Sequence, residues 1–356
     1  MDYSLSVNKL LDAYDKVALN YKLVEIYGDM YLITNEEKYL KKKEQVARCY
    51  QELGVRYYRE QGKVDLVDIA LCKDKFCKNC QNILSKKRYM KFKPFLDKYV
   101  EDYDIYHVTL TVPNCSNWQL QTTLDDMYNA FSRFIKMFRR SKGKYKFLDL
   151  PFLDYQGCVR SLEITYNNKT NKYHPHFHCL FIMSKDLPDE RFVVNKFSYK
   201  EGAFNRAFTL LEEKIQKLWY LFYNHIRITE SNFANCLGYS CTCEVTNYDY
   251  KEVFKYTLKE SFDFILDSEP VFMCLESALY NRRVIQGYGC LFNLDFDNDL
   301  DILVDNLYDD YVEELKSQED PVYLVVTINE LVDAVEKNHV NVFSKKLIKG
   351  VINYEE

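Results

Sequence analysis

Two kinds of hydrophobic pattern follow one another along this chain. Four segments are rich in β-branched and aromatic residues and alternate like strands; they are His107–Val112, Gly157–Tyr166, Tyr173–Met183 and Tyr239–Thr246. Three segments carry apolar residues at the spacing of an amphipathic helix; they are 119–140, Asn205–Arg227 and Tyr248–Phe264. The order strand, helix, strand, strand, helix, strand, helix predicts an α+β fold, in which helices flank a central antiparallel sheet.

Charge and cysteine distribution suggest three domains. We predict an N-terminal helical and cysteine-rich segment at 1–100, the sheet domain at 101–290 and an acidic segment at 291–356. The chain of 356 residues has a formal net charge of −5, yet its last segment alone has 16 acidic and 5 basic residues. That segment is typical of a partner-binding or autoinhibitory tail, or of a solvated cap. Residues 73–93 include eight basic residues and one acidic residue, which indicates either a phosphate-contacting surface or a solvated helix face.

The chain has no run of 18 apolar residues, so we predict no membrane span. Its first residues also lack the basic and then apolar pattern of a secretory signal, which predicts a cytoplasmic location. In that compartment the 12 cysteines are expected to be thiols or metal ligands rather than a disulfide framework.

The densest chemical signal is the run His174-Pro175-His176-Phe177-His178, which contains three of the six histidines. Side chains alternate between the two faces of a strand, so the three imidazoles should project from one face and Phe177 from the other. Imidazole is the commonest metal ligand, and a row of imidazoles on one face predicts a divalent-cation site. The alternative is a polar strand that faces solvent.

A second cluster of metal-ligand type consists of cysteines. Cys72, Cys77 and Cys80 follow one another at knuckle-like spacing, and Cys49 lies upstream as a fourth candidate. Tetrahedral zinc requires four ligands, so these thiolates predict a structural zinc site. The alternative is a set of scattered buried thiols.

A third set of reactive residues lies on the last predicted helix. Glu252 and Tyr256 are four residues apart and Lys259 is three further on, so all three share one helical stripe. Tyrosine can attack a phosphodiester that a metal polarises, carboxylate can activate water, and lysine can neutralise developing charge. A tyrosine on such a helix is also a common core residue.

Four motifs together resemble a known family. They are Thr109-Leu110-Thr111-Val112-Pro113-Asn114, the strand Ser161 to Tyr166 with the histidine run, the helix Glu252 to Lys259, and Arg282-Arg283-Val284 through Gly287-Tyr288-Gly289. In this order they resemble the rolling-circle replication initiators of small Gram-positive plasmids, within the HUH endonuclease superfamily. The resemblance covers roughly residues 45–290, and the ordered set is far more specific than any one motif.

The resemblance implies a sheet of RRM or ferredoxin-like type and a metal-dependent nickase that acts at a replication origin. It implies that Tyr256 cuts one DNA strand and stays joined to its 5′ phosphate, leaving a 3′ hydroxyl as primer, and that Glu252 activates water at termination. His176 and His178 match the family's metal pair. Glu163, on the paired strand, is expected to supply a third ligand, with His174 as its rival.

The same resemblance implies Mg²⁺ or Mn²⁺ as the cation, and imidazole ligands favour Mn²⁺ in affinity. DNA is the expected partner, together with a host helicase and polymerase, and an oligomer is compatible with this chemistry. No GK[ST] phosphate loop is present, so unwinding is expected to need another protein.

Three other functions compete with this interpretation. A single-strand transposase uses the same chemistry, as does a conjugative relaxase, although relaxases usually carry their tyrosine before the histidine motif. A catalytically inactive DNA-binding regulator is the third, and it is disfavoured because the histidine pair, Tyr256 and Glu252 are all present.

Overall fold

The computed structural model describes thirteen stretches of the chain; they are residues 20–49, 51–58, 63–67, 71–144, 146–148, 154–188, 191–194, 198–199, 202–203, 206–246, 250–254, 265–292 and 322–327. The chain divides into two compact units. Unit 1 comprises 1–84 and 302–356, and unit 2 comprises 85–301.

The helices, in chain order, are α1 (20–34), α2 (Glu37–Ala47), α3 (Lys78–Tyr99), α4 (Leu120–Lys144), α5 (Leu210–Tyr223), α6 (Glu230–Asn235), α7 (Lys251–Phe254) and α8 (Glu269–Leu279). The strands are β1 (Glu52–Tyr58), β2 (Lys63–Val67), β3 (Tyr103–Thr111), β4 (Gly157–Asn167), β5 (Lys172–Ser184), β6 (Arg191–Val194), β7 (Ser198–Tyr199), β8 (Gly202–Ala203), β9 (Arg206–Thr209), β10 (Cys241–Val245), β11 (Ile285–Gly289) and β12 (Val322–Thr327).

Unit 1 combines a helical pair with a small sheet. The rings of Tyr27 on α1 and Tyr39 on α2 stack with their centroids 6.3 Å apart. The Tyr27 hydroxyl donates a 2.9 Å hydrogen bond to Asp74, in the loop before α3. The sheet has the order β12-β1-β2 with antiparallel pairs. Its outer strand β12 comes from the C-terminal segment, so this sheet joins residues from both ends of the chain.

Unit 2 is built on a five-stranded sheet with the order β10-β3-β5-β4-β11, and each neighbouring pair is antiparallel. The α+β class and the central antiparallel sheet predicted from the sequence are therefore confirmed. Strands β3, β4, β5 and β10 overlap the four predicted ones. The fifth strand, β11, follows Arg282-Arg283 and pairs with β4.

Helix α5 begins later than the pattern predicted. The chain over Arg206–Thr209 is strand β9, which pairs with β6. Thr209 then caps α5, because its hydroxyl accepts from the Glu212 N–H at 3.1 Å while the Glu212 carboxylate accepts from the Thr209 N–H at 2.8 Å. This reciprocal pair is a capping box, which fixes the helix start.

One face of the central sheet packs on α4 and α5. Phe177 of β5 meets Phe131 of α4 and Trp219 of α5, with ring centroids 5.4 and 6.1 Å apart. Phe134 of α4 also contacts Phe181 of β5 in an edge-on geometry. Aromatic side chains bury large apolar areas, so this face forms the main core of unit 2.

The opposite face of the sheet is covered by apolar residues at one end. Leu180 and Ile182 of β5 form a buried cluster there with Phe92 of α3 and with Val253 and Phe254 of α7. Towards the other end of β5 the same face carries histidines. Among the residues that the structure describes, no helix is both long and apolar enough to cross a membrane.

Candidate functional site

The register between β4 and β5 brings Glu163 to the histidine run. Glu163 pairs with His176, and Ser161 with His178. Directly opposed residues of an antiparallel pair share a face and have neighbouring Cβ atoms. The short hairpin that joins β4 to β5 thus places a carboxylate among the imidazoles.

Glu163, His176 and His178 form a compact donor cluster. The Glu163 Oε2 atom lies 3.0 Å from His178 Nε2 and 3.6 Å from His176 Nε2. One donor atom from each residue lies within 4.8 Å of the others. Neighbouring ligands of an octahedral ion with bonds of ~2.1 Å are about 3 Å apart. The donor set therefore fits a divalent cation that accepts nitrogen and oxygen ligands.

The imidazole of His176 is held with its Nε2 atom towards Glu163. Its other nitrogen, Nδ1, lies 3.2 Å from the backbone carbonyl of His174. Because a carbonyl oxygen can only accept, Nδ1 carries the proton in this contact and Nε2 keeps its lone pair. That is the tautomer that a metal ligand requires.

The second nitrogen of His178 faces another histidine that sequence reasoning did not select. His107 Nε2 on β3 lies 3.0 Å from His178 Nδ1. The two rings stack with their centroids 5.2 Å apart and an interplanar angle of 18°. Thr109 pairs with His178 in the β3–β5 register, and its hydroxyl lies 3.4 Å from the same Nδ1. The sequence did contain a signal for this contact, because His107, Thr109 and Thr111 alternate and place polar side chains on one face of β3.

His174 lies next to the cluster but is not one of its three members. Its ring centroid is 5.1 Å from that of His176, and it does not belong to the three-residue donor set. Burial lowers the pKa of His174, and the neighbouring His176 lowers it further. The structure therefore brings Glu163, rather than His174, to the predicted histidine pair.

The four predicted zinc cysteines also lie together, within unit 1. The Sγ atom of Cys49 is 3.6 Å from those of Cys77 and Cys80, and Cys72 Sγ is 3.6 Å from Cys80 Sγ. Thiolates around tetrahedral zinc with ~2.3 Å bonds are separated by about 3.8 Å. A disulfide would require about 2.05 Å. The spacing therefore fits a metal site with four cysteine ligands.

Hydrogen bonding within the cysteine cluster raises the pKa of the Cys49 and Cys72 thiols and favours the thiolate form of the other two cysteines. The thiols of Cys49 and then Cys72 lower the pKa of Cys77 and of Cys80. The Lys73 backbone N–H also donates to Cys80 Sγ at 3.3 Å. Thiolate is the form that binds metal, so the surroundings of these two sulfurs suit a cation.

Most of the predicted nucleophile set lies outside the residues that the structure describes. Tyr256 and Lys259 lie outside the described residues, as does the side chain of Glu252. The backbone of Glu252 belongs to α7, whose Val253 and Phe254 pack in the cluster with Leu180 of β5. Leu180 shares its face of β5 with His178. Helix α7 therefore lies on the face that carries the donor cluster.

The Arg282-Arg283 motif fastens β11 to α4. Arg282 forms a 2.8 Å ion pair with Asp125, and the Arg283 carbonyl accepts from the Tyr128 hydroxyl at 2.8 Å. Arg160 of β4, fully buried, donates to the same carbonyl at 3.1 Å. Through these contacts the Arg282-Arg283 motif anchors the edge strand β11 to α4 and β4.

Gly287 in the following part of the motif permits a close backbone contact. A Cβ atom at Gly287 would lie 1.9 Å from the Leu291 carbonyl oxygen. Glycine is the one residue type without this atom, so the turn after β11 depends on it.

Comparisons with known proteins find relatives and one family. Three similar relatives are each named Protein rep. The one from Streptococcus pneumoniae serotype 2 is 26% identical over 66% of this chain and 65% of its own length. The one from Bacillus amyloliquefaciens is 28% identical over 70% of this chain and 71% of its own length. The one from Staphylococcus aureus is 30% identical over 35% of this chain and 51% of its own length.

No solved structure matches the chain. The chain spans just under two thirds of the streptococcal relative and about half of the staphylococcal one. The family model Rep_1, described as replication protein, matches residues 63–330. That range contains the whole central sheet with its donor cluster and three of the four clustered cysteines. The chain belongs to the Rep_1 family of replication proteins.

Proposed function

We propose that this chain initiates plasmid replication by the rolling-circle mode, as a nickase that cuts and rejoins one strand of origin DNA. The observation that carries the proposal is the Glu163–His176–His178 cluster on the sheet face that α7 also covers. These three residues would hold Mg²⁺ or Mn²⁺, which would supply a Lewis acid for the scissile phosphate. The family's description as replication proteins supports DNA as the substrate.

In this proposal Tyr256 is the nucleophile. Its phenolic oxygen forms a bond to phosphorus while the bond from phosphorus to the 3′ oxygen breaks. The phenol loses its proton and the departing 3′ oxygen gains one, so the products are a 5′ phosphotyrosine and a free 3′ hydroxyl. Lys259 offsets negative charge that develops on the phosphate.

We assign Glu252 to the end of the replication round. A water that gives its proton to this carboxylate attacks phosphorus, and the bond between phosphorus and the tyrosine oxygen breaks. The chain has glutamate at 252 and at 260, four residues either side of Tyr256. Release by water rather than by a second tyrosine therefore suits this segment. Polymerase and a separate helicase are the proposed partners.

The direct test uses purified protein and a supercoiled plasmid that carries DNA from the replicon encoding the chain. Conversion of the plasmid to open circles in Mn²⁺, with protein attached to the new 5′ end, is the expected result. Retained binding to that DNA without conversion in Mg²⁺ or Mn²⁺ would favour the inactive regulator instead.

We further propose that His107 positions His178. If His178 Nε2 binds the cation, its Nδ1 carries the proton and donates it to His107 Nε2, 3.0 Å away. The near-parallel stacking of the two rings holds that geometry. His107 contacts a ligand rather than the reacting phosphate, so it is a positioning residue.

Replacing His107 by phenylalanine should weaken Mn²⁺ binding by about 10–100-fold, because the acceptor that orients His178 is lost. Calorimetric titration of the DNA-free protein with Mn²⁺ measures this directly. His107→Gln keeps an acceptor oxygen and should recover most of the affinity. Equal losses in both variants, or none in either, would contradict the positioning role.

We also propose one structural zinc per chain, bound by Cys49, Cys72, Cys77 and Cys80. Cys80 lies in the first turn of α3 and Cys77 immediately precedes that helix. Zinc would therefore fix the start of the helix that carries most of the basic residues in 73–93. A helix held in this way suits contact between its basic residues and DNA phosphates.

Cys77→Ser should lose the zinc and destabilise the fold by more than about 4 kcal/mol, because metal binding and folding are linked. Elemental analysis of protein purified without chelator gives the zinc content, and thermal unfolding gives the stability. Cys274→Ser, in α8 and outside the cluster, should change neither quantity. Wild-type protein without zinc would remove this assignment and leave the nickase proposal standing.

A further inference from the structure

We propose that a cavity beside His174 binds a nucleotide of the single DNA strand, next to the phosphate that is cut. The proposal rests on the proposed nickase function and names where the substrate strand continues past the cation. It gives His174 a role at the substrate rather than at the metal.

The cavity has a volume of about 580 Å³. Its walls come from the β4–β5 hairpin and the loop after β3, with Asn114, Thr165, Asn168, Lys169 and His174 among the lining residues. No carboxylate is among the described residues that line it. Amides, a hydroxyl and an ammonium group are the donors that bind phosphate oxygens and base edges.

The position of the cavity follows from His174. This residue lines the cavity, and its ring centroid lies 5.1 Å from that of His176 in the donor cluster. Thr165 pairs with His174 on the neighbouring strand, two positions from the pair Glu163 and His176. The cavity therefore begins two residue pairs further along the sheet, at the next pair on the same face as the donor cluster, and a strand held at the cation can extend into it.

The walls are held by backbone contacts, so the cavity is formed before any ligand arrives. Cys115 and Tyr173 exchange two backbone hydrogen bonds of 2.9 and 2.8 Å, which fasten the loop after β3 to β5. At the hairpin tip the Asn167 carboxamide oxygen accepts from the backbone N–H groups of Lys169 and Thr170, at 3.0 and 3.1 Å. A preformed site loses less free energy to ordering when it binds.

The charge of its lining residues distinguishes this cavity from a second cavity in unit 2. The second has a volume of about 670 Å³, and Asp104, Asp186 and Glu244 are among its lining residues. Three carboxylates repel a polyanion, whereas the cavity beside His174 carries Lys169 and no acid among its described lining residues. The larger cavity is therefore the worse candidate for DNA, although it has more room.

Lys169→Ala in the full chain tests the assignment, with fluorescein-labelled oligo(dT) of 20 nucleotides as the probe in the presence of Mn²⁺. Loss of one phosphate contact should weaken binding about fivefold at low salt, and it should lower the slope of log affinity against log salt by about 0.7. Asn168→Ala should weaken binding with little change of slope, because an amide releases no counterion.

Lys172→Ala is the matched control, since Lys172 is exposed on the same hairpin but does not line the cavity. It should leave the affinity and the slope unchanged. Equal effects at 169 and 172, or no effect at either, would overturn the subsite. Mn²⁺ affinity should stay the same in all three variants, and a loss in Lys169→Ala would count against a substrate role.

Failure of this proposal can be told apart from failure of the nickase. If wild-type protein nicks its plasmid while Lys169→Ala binds oligo(dT) normally, only the subsite is wrong. If wild-type protein neither nicks nor binds single-stranded DNA, the proposed function fails and the subsite fails with it.

Discussion

Replacing Tyr256 by phenylalanine should abolish both strand cleavage and the covalent adduct between protein and DNA. The change removes one oxygen atom, which is the atom that attacks phosphorus, and keeps the aromatic ring. Loss of a nucleophile of this kind lowers the rate by at least about a thousandfold. Gel analysis of plasmid nicking measures the rate, and mass spectrometry of digested adduct identifies the modified residue.

Tyr280→Phe is a suitable control, because Tyr280 is 67% exposed at the end of α8 and loses the same atom. It should nick at the wild-type rate. Glu252→Ala should still form the adduct but accumulate it, since the first cut needs the tyrosine and the cation, while release by water needs the carboxylate. A nucleotide found on another tyrosine would overturn the assignment of Tyr256. Normal release in Glu252→Ala would remove only the role of Glu252.

The double variant His176→Ala with His178→Ala should lose metal-dependent cleavage while keeping its fold. Two of the three clustered donor residues disappear, so we expect Mn²⁺ affinity to fall by at least about a thousandfold. Nicking should fall to the level seen with excess EDTA. Circular dichroism checks the fold, because both side chains lie on the polar part of the sheet face rather than in the aromatic core.

His225→Ala serves as the control for the double variant. His225 is a half-exposed histidine whose Nε2 lies 3.0 Å from Asp126, and it is not part of the donor cluster. Its removal should leave Mn²⁺ affinity and nicking unchanged. Undiminished cleavage by the double variant, or full activity of wild-type protein in EDTA, would refute the cation site.

Local pattern was enough to predict the parts of the site that lie close in sequence. His176 and His178 share a face because they are two residues apart on one strand. Glu163 joins them because a short hairpin fixes the register of β4 on β5. Cys72, Cys77 and Cys80 are close in sequence, and that spacing was enough to predict that they cluster. Each of these predictions needed only strand alternation with one short connection, or close spacing along the chain.

Residues brought together by distant pairing could not be predicted in this way. His107 meets His178 because β3 lies on the other side of β5 from β4, and no local pattern specifies that order. Strand β11 contains Gly287 and Gly289, which have low strand propensity. It forms because its register on β4 and the anchoring of Arg282 and Arg283 hold it in place. Strands β1 and β2 lie in the segment predicted to be helical and cysteine-rich, and the third strand of their sheet, β12, comes from the C-terminal segment.

The pairing of β1 with β12 sets an order of events during synthesis. All of residues 85–301 leave the ribosome between these two strands, at roughly 5–20 residues per second. Until β12 emerges, β1 presents an unpaired edge, and unpaired edges recruit other chains. The small sheet of unit 1 is therefore completed last, after unit 2 has been synthesised in full. A chain truncated before residue 322 would lack β12, so the edge of β1 would stay unpaired.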